Sequence, residues 1–279
     1  MAATLEVHDL SVVYRSFGAR PVPALDSVTF AAEAGQILGI LGPNGSGKST
    51  LFAVLAGSLL PTSGQARVLG CDPTHAGLLA RVGFQPEGPL PFRDATPRAF
   101  LRRFVDLFGL AAKPGRKRAD DLLDRLGLGP VAQSRAVRRL STGMARRLAL
   151  AAALLPEPEV LLLDEPTAGL DPDGSLLVMD ILRAHAKSGG TVLLASHHLL
   201  EIEDLCERVL LLDAGKVMAS GTLEELLGTG ETRLTVAGLP PEGIAHLQRT
   251  VVDAGGRVIA CEPRREHLFA WFRRQRQRP

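Results

Sequence analysis

Apolar residues along this chain follow two rhythms, and the points where one gives way to the other lay out its architecture. Residues 4–13 and 27–34 alternate apolar and polar side chains, the pattern of half-buried strands in an antiparallel sheet. Ala19-Arg20-Pro21-Val22-Pro23 between them reads as a turn. Ile37–Leu41, Val160–Leu163 and Thr191–Ala195 are nearly apolar throughout, as strands covered on both faces of a parallel sheet are. Gln65–Leu69 and Arg81–Phe84 read as shorter strands, and Arg208–Leu212 and Lys216–Ala219 flank the hairpin signal Asp213-Ala214-Gly215. Helical spacing covers 48–57, 173–187 and 199–206.

Between about 91 and 155 the helical rhythm takes over. Thr96 before Pro97 is an N-cap with proline at the first helical position, and Phe100, Leu101, Phe104, Val105 and Phe108 recur on one helix face. Lys113–Arg118 reads as a basic, solvated linker; Leu122, Leu123, Leu126 and Leu128 mark a second helix, and Met144–Leu155 a third. The expectation is an α/β domain over 1–228 with an antiparallel β subdomain and an inserted helical subdomain. After Gly228-Thr229-Gly230 the composition shifts. Residues 232–237, 242–254, 257–261 and 264–274 read as a small β-α-β-α accessory unit over 229–279, ending in the basic run Arg273–Arg278.

The chemistry gathers where strands end. Gly42-Pro43-Asn44-Gly45-Ser46-Gly47-Lys48-Ser49 satisfies G-x-x-x-x-G-K-[ST], follows the Ile37–Leu41 strand and precedes Thr50 and a helix start. In that context the glycines let backbone N–H groups turn inward around phosphates, and the helix N-terminus adds its positive end. Lys48 is expected to reach the β- and γ-phosphates and the Ser49 hydroxyl to ligate Mg²⁺. Val160–Leu163 ends in Asp164-Glu165, where open α/β sheets place ligands. Asp164 suits the Mg²⁺ shell, and Glu165 suits a base for an attacking water. Ser141 in Leu140-Ser141-Thr142-Gly143-Met144 is a good N-cap whose helix points its positive end at an anion.

The 279 residues carry 46% apolar side chains, enough for one large core and an appendage. A net charge of +2 argues against nucleic acid as partner. Cys71, Cys206 and Cys261 lie far apart, without a disulfide or zinc pattern, as in a reducing compartment. The N-terminus has no basic-then-apolar signal, and the longest apolar helix candidate, Leu148–Leu155, is far too short for a membrane span. The chain is therefore expected to be soluble, meeting a membrane only through a partner or a surface.

Taken together in order, these motifs resemble the nucleotide-binding subunit of ATP-binding-cassette (ABC) transporters over about residues 4–222. Leu140–Met144 resembles the LSGGQ signature, with Thr142 and Met144 as departures; Ala168-Gly169-Leu170-Asp171 resembles the D-loop; Ser196-His197-His198 resembles the switch-histidine loop; and Tyr14 matches the aromatic that stacks on adenine. The family's spacing favours His197 over His198 as the switch histidine. It also places Glu87, rather than Gln85, at the glutamine-loop position. Two residues apart in an extended segment the two share a face, and a carboxylate at 87 is a hard oxygen ligand for Mg²⁺ or its water.

Glu87, the Ser-Thr-Gly-Met signature and the short C-terminal unit resemble the ATPases of ABC-2-type exporters. The resemblance implies ATP and Mg²⁺ as cofactors, a separate integral-membrane permease, and a location on the cytoplasmic face of the membrane. It implies a second ATP-binding subunit, homo- or heterodimeric, whose Ser141, Thr142, Gly143 and Met144 complete the site in trans. Catalysis falls to Lys48, Glu165 and His197. Two other readings are a soluble ABC ATPase acting on ribosomes or DNA and a non-hydrolysing regulatory subunit. Against the first, the chain has a single cassette and no heptad run between Lys48 and Ser141. Against the second, it has both Glu165 and His197.

Overall fold

Two sheets with a helix between them set the frame. The computed structural model describes residues 3–15, 20–197, 199–228, 238 and 240–259. The first sheet is antiparallel, with β1 (Ala3–Tyr14) between β2 (Val22–Glu33) and β4 (Ser63–Val68). The second is mixed. It contains β3 (Ile37–Leu41), β5 (Val82–Gln85), β6 (Val160–Asp164), β7 (Thr191–Ala195), β8 (Arg208–Asp213) and β9 (Lys216–Thr222), in the order β5-β6-β7-β3-β8-β9. All neighbours are parallel except the β8–β9 hairpin. Helix α1 (Lys48–Leu55) joins the sheets. Its Leu51, Phe52, Val54 and Leu55 pack in one cluster with Leu5 and Val28 of the first sheet and Ile40 and Leu162 of the second.

Between β5 and β6 the chain forms the helical subdomain: α2 (Pro97–Leu107), α3 (Ala112–Arg125) and α4 (Thr142–Leu154). Thr96 caps α2, its hydroxyl accepting the Ala99 N–H at 3.3 Å. The core is completed by α5 (Pro172–Lys187), α6 (Leu199–Leu205) and α7 (Leu223–Leu227). No helix among the described residues is long and apolar enough to cross a membrane.

Three expectations change. Lys113–Arg118 is not a linker but the first two turns of α3. Pro114 is tolerated because first-turn N–H groups have no intrahelical partner. Gly115 lets α3 close on α2: a Cβ there would lie 2.7 Å from Val105 Cγ1. The basic side chains sit on the outer face, and Arg118 turns back to pair with Glu157 at 2.8 Å. Second, β2 already begins at Val22, so Val22 and Pro23 belong to a strand rather than a turn. Proline is admissible there because β2 is a sheet edge and its outer N–H positions need no partner. Third, residues 257–259 form no strand.

Residues 1–227 form one compact unit and 228–279 a second. In the second, α8 (Pro241–Asp253) covers the helix expected over 242–254. The expected elements at 232–237 and 264–274 and the basic tail lie outside the described residues.

Candidate functional site: a phosphate cleft at the strand ends

Four parallel strands end on one edge of the main sheet, and the chain leaving each delivers one part of a cleft. This is where open α/β sheets bind ligands. β3 delivers the phosphate loop. Gly47 has φ +106, and a Cβ there would come within 2.5 Å of Ala24 O, so both conformation and space demand glycine. α1 starts at the next residue and presents its unpaired first-turn N–H groups to the loop. Lys48, 8% exposed, donates from Nζ to Gly42 O at 2.7 Å and Pro43 O at 3.0 Å. An ammonium has three protons, so one remains for a phosphate oxygen. Asn44, Gly45 and Thr50 line the cleft as well, while Ser46 is buried.

β6 delivers Asp164 and Glu165. The Ser49 hydroxyl donates to Asp164 Oδ2 at 2.8 Å, so these two proposed metal-site residues already touch. Burial holds the Asp164 carboxyl above the usual carboxylate range, and the charges of Glu87 and Glu165 add to this. The Ser49 hydrogen bond and Lys48 pull the other way. Glu165 sits in left-handed backbone, φ +53, with its N–H donating to Ala195 O of β7 at 3.0 Å. β7 delivers His197, whose Nδ1 lies 2.8 Å from Glu165 Oε1. A carboxylate only accepts, so Nδ1 carries the proton. Glu165 Oε2 is buried and makes no hydrogen bond among the described residues.

β5 delivers Glu87, and here the two candidates at 85 and 87 part. Glu87 lines the cleft with Lys48, Ser49, Asp164, Glu165 and His197, in a space of about 370 Å³. Gln85 is the last residue of β5, fully buried, and neither amide atom has a hydrogen-bond partner among the described residues. The expectation that the two share a face fails because the strand stops at Gln85 and its two-residue alternation stops with it.

The remaining candidates lie at the rim or away from the cleft. Tyr14, 46% exposed at the end of β1, puts its hydroxyl 3.3 Å from Thr50 Oγ1, at the cleft edge. Asp171 caps α5, its carboxylate accepting the Gly174 N–H at 3.1 Å. Ser141 caps α4, its hydroxyl accepting the Met144 N–H at 3.2 Å. Of the described residues lining the cleft, none comes from 141–144. His198 lies outside the described residues.

Sequence reasoning missed Ala24, which reaches the cleft from β2, and a hydrogen bond between Thr167 and Glu201 behind Glu165. An alanine in a strand carries no signal of its own. The second contact joins positions far apart in the chain, and only the spacing of Glu201 after His197 hinted at it.

The strand–loop–helix phosphate cradle with Asp164 and Glu165 on the neighbouring strand end defines a P-loop nucleotide-binding protein. The ABC transporter family model matches residues 25–168. The Daunorubicin resistance ATP-binding protein DrrA3 of Streptomyces coeruleorubidus is 42% identical over 85% of this chain and 78% of its own length. The Nod factor export ATP-binding protein I of Ralstonia nicotianae is 37% identical over 89% of this chain and 77% of its own. A solved ATP-binding subunit of an ABC transporter superposes with a TM-score of 0.72 at 26% identity, covering 89% of this chain and 99% of that one. The chain belongs to the ABC transporter ATP-binding family and is an ATPase of that family.

Proposed function

We propose that this chain is the energising subunit of an exporter. It hydrolyses ATP on the cytoplasmic face of a membrane, in complex with a separate integral-membrane permease and a second ATP-binding subunit. The similarity to proteins named for drug resistance and for Nod factor export supports the export direction. Recruitment by a permease accords with the lack of a spanning helix among the described residues.

The observation that carries the chemistry is the convergence of Lys48, Ser49, Glu87, Asp164, Glu165 and His197 on one cleft. Lys48 and the phosphate-loop N–H groups hold the β- and γ-phosphates. Tyr14 at the rim offers its ring to the adenine. Ser49, Asp164 and Glu87 line the same cleft and offer oxygen donors. Mg²⁺ would be held there by these oxygens and would neutralise charge on the phosphates. Glu165 takes a proton from the attacking water, while His197 orients the carboxylate through Oε1. The water oxygen bonds to the γ-phosphorus, the bond to the β–γ bridging oxygen breaks, and ADP and inorganic phosphate leave. Ser141–Met144 of a second subunit close over the γ-phosphate, because α4 of the same chain does not bring them there.

Steady-state ATPase measurement on Glu165→Gln tests this reading. An amide keeps the shape and loses the base, so turnover drops on the order of 10²–10⁴-fold while ATP still binds. Turnover near wild type would show that Glu165 is not the base.

A further inference from the structure

Glu165 holds a backbone conformation disfavoured for its residue type. Such residues persist only where neighbouring structure over-determines them. Three contacts surround it here. Ala195 O takes its N–H, and His197 pairs with its carboxylate. Two residues further on, Thr167, 6% exposed, donates its hydroxyl to Glu201 Oε2 at 2.5 Å. Neither Thr167 nor Glu201 lines the nucleotide cleft. Yet the Glu165–His197 and Thr167–Glu201 contacts tie together the same two segments: the turn after β6 and the chain entering α6. Within that turn, Ala168 N–H donates to Glu165 O at 3.3 Å and Leu170 N–H to Thr167 O at 3.1 Å. Fixing Thr167 therefore fixes the loop that carries Glu165.

We infer that Glu201 is a positioning residue for ATP hydrolysis: through Thr167 it clamps the turn bearing Glu165 against the segment bearing His197, so that base and histidine stay in register. The inference rests on Glu165 being the base. The clamp touches no nucleotide. The groups that grip the phosphates hang from β3, so loosening the clamp misplaces the base without loosening ATP. The effect falls on kcat and spares KM.

The test is ATP hydrolysis by the full chain carrying Thr167→Val, Glu201→Ala, both together, Thr167→Ser or Glu201→Gln, with Glu165→Gln as reference. Thr167→Val and Glu201→Ala are each expected to lower kcat about tenfold with KM unchanged, the size of effect a slightly misplaced catalytic group produces. The double variant is expected to be no slower than the slower single, because both remove one contact. Thr167→Ser and Glu201→Gln keep a donor and an acceptor and stay within about twofold of wild type.

Wild-type kcat in both truncations overturns the clamp. So does a multiplicative loss in the double variant, a loss carried in KM, or a failure of the conservative variants to retain activity. Glu201 is only partly buried, so Glu201→Ala decides the matter by itself if Thr167→Val does not fold. Turnover surviving in Glu165→Gln overturns the assignment of the base. A dead Glu165→Gln beside fully active Thr167→Val and Glu201→Ala overturns the clamp alone.

Discussion

The cleft at the strand ends and the first turn of α4, which the proposed function brings together at one nucleotide from two chains, are built in opposite ways. In the cleft, Lys48, Asp164 and Glu165 are buried and already paired: Lys48 with loop carbonyls, Asp164 with Ser49, Glu165 with His197. At α4, Ser141 and Thr142 are exposed, and the Ser141 hydroxyl serves only its own helix. A preorganised half costs little further ordering when ATP arrives. An exposed half contributes only when another surface is brought to it. Under the proposed function, the contrast assigns binding to one chain and hydrolysis to two, and each prediction below presses on one side of it.

The largest effect is expected from Lys48→Ala set beside Ser141→Ala. Lys48→Ala removes the buried cation proposed to hold the phosphates, so a single chain loses measurable binding of a fluorescent ATP analogue and turnover falls by about 10²-fold or more. Ser141→Ala leaves single-chain binding as in wild type and lowers turnover. It also weakens the α4 cap by about 0.5–2 kcal/mol. Loss of single-chain binding in Ser141→Ala would erase the distinction between the two regions.

A smaller effect separates Glu87 from Gln85. Glu87→Ala is expected to lower Mg²⁺-dependent turnover about tenfold, as removal of one positioned electrostatic group does, with unfolding unchanged. Gln85→Leu is expected to leave turnover intact and raise stability by about 1–3 kcal/mol, because it removes two buried polar atoms that have no partners among the described residues. Chemical denaturation beside ATPase assays checks both. A turnover defect confined to the position-85 variant would move the loop's active residue to Gln85.

The smallest effect concerns Asp164. Its carboxyl is held above the ordinary carboxylate value of 3.8, first by burial. A folded-state pKa above the unfolded one means that stability is lost as pH rises from that ordinary value through the raised one. Asp164→Asn removes this penalty. Without Mg²⁺ the variant should melt higher than wild type near pH 7, and the gap should close as pH falls toward 4. A gap that widens on acidification would contradict the burial of an ionised carboxylate there.

Most of the cleft was legible in the sequence because its parts are local signals. A phosphate loop, an apolar strand ending in two carboxylates, and capped helices each announce themselves within a dozen residues. What was not legible came from tertiary contacts. The basic run at 113–118 has the composition of a solvated loop, yet Gly115 packs under Val105 and makes it helix. Glu87 and Gln85 were separable by family spacing, but the end of β5 between them was not, and that end leaves one buried and puts the other in the cleft. The Thr167–Glu201 contact needed the fold itself, because neither residue belongs to a motif.

Dimer formation tests the division of labour most directly. Glu165→Gln, incubated with ATP and Mg²⁺ and followed by light scattering on a sizing column, should shift from the 29.7 kDa chain to twice that mass. Adding Ser141→Arg to the same chain should return it to the single-chain mass with ATP still bound. A Glu165→Gln chain that binds ATP and stays single, or a dimer that survives Ser141→Arg, would contradict the claim that the α4 end completes a partner's cleft.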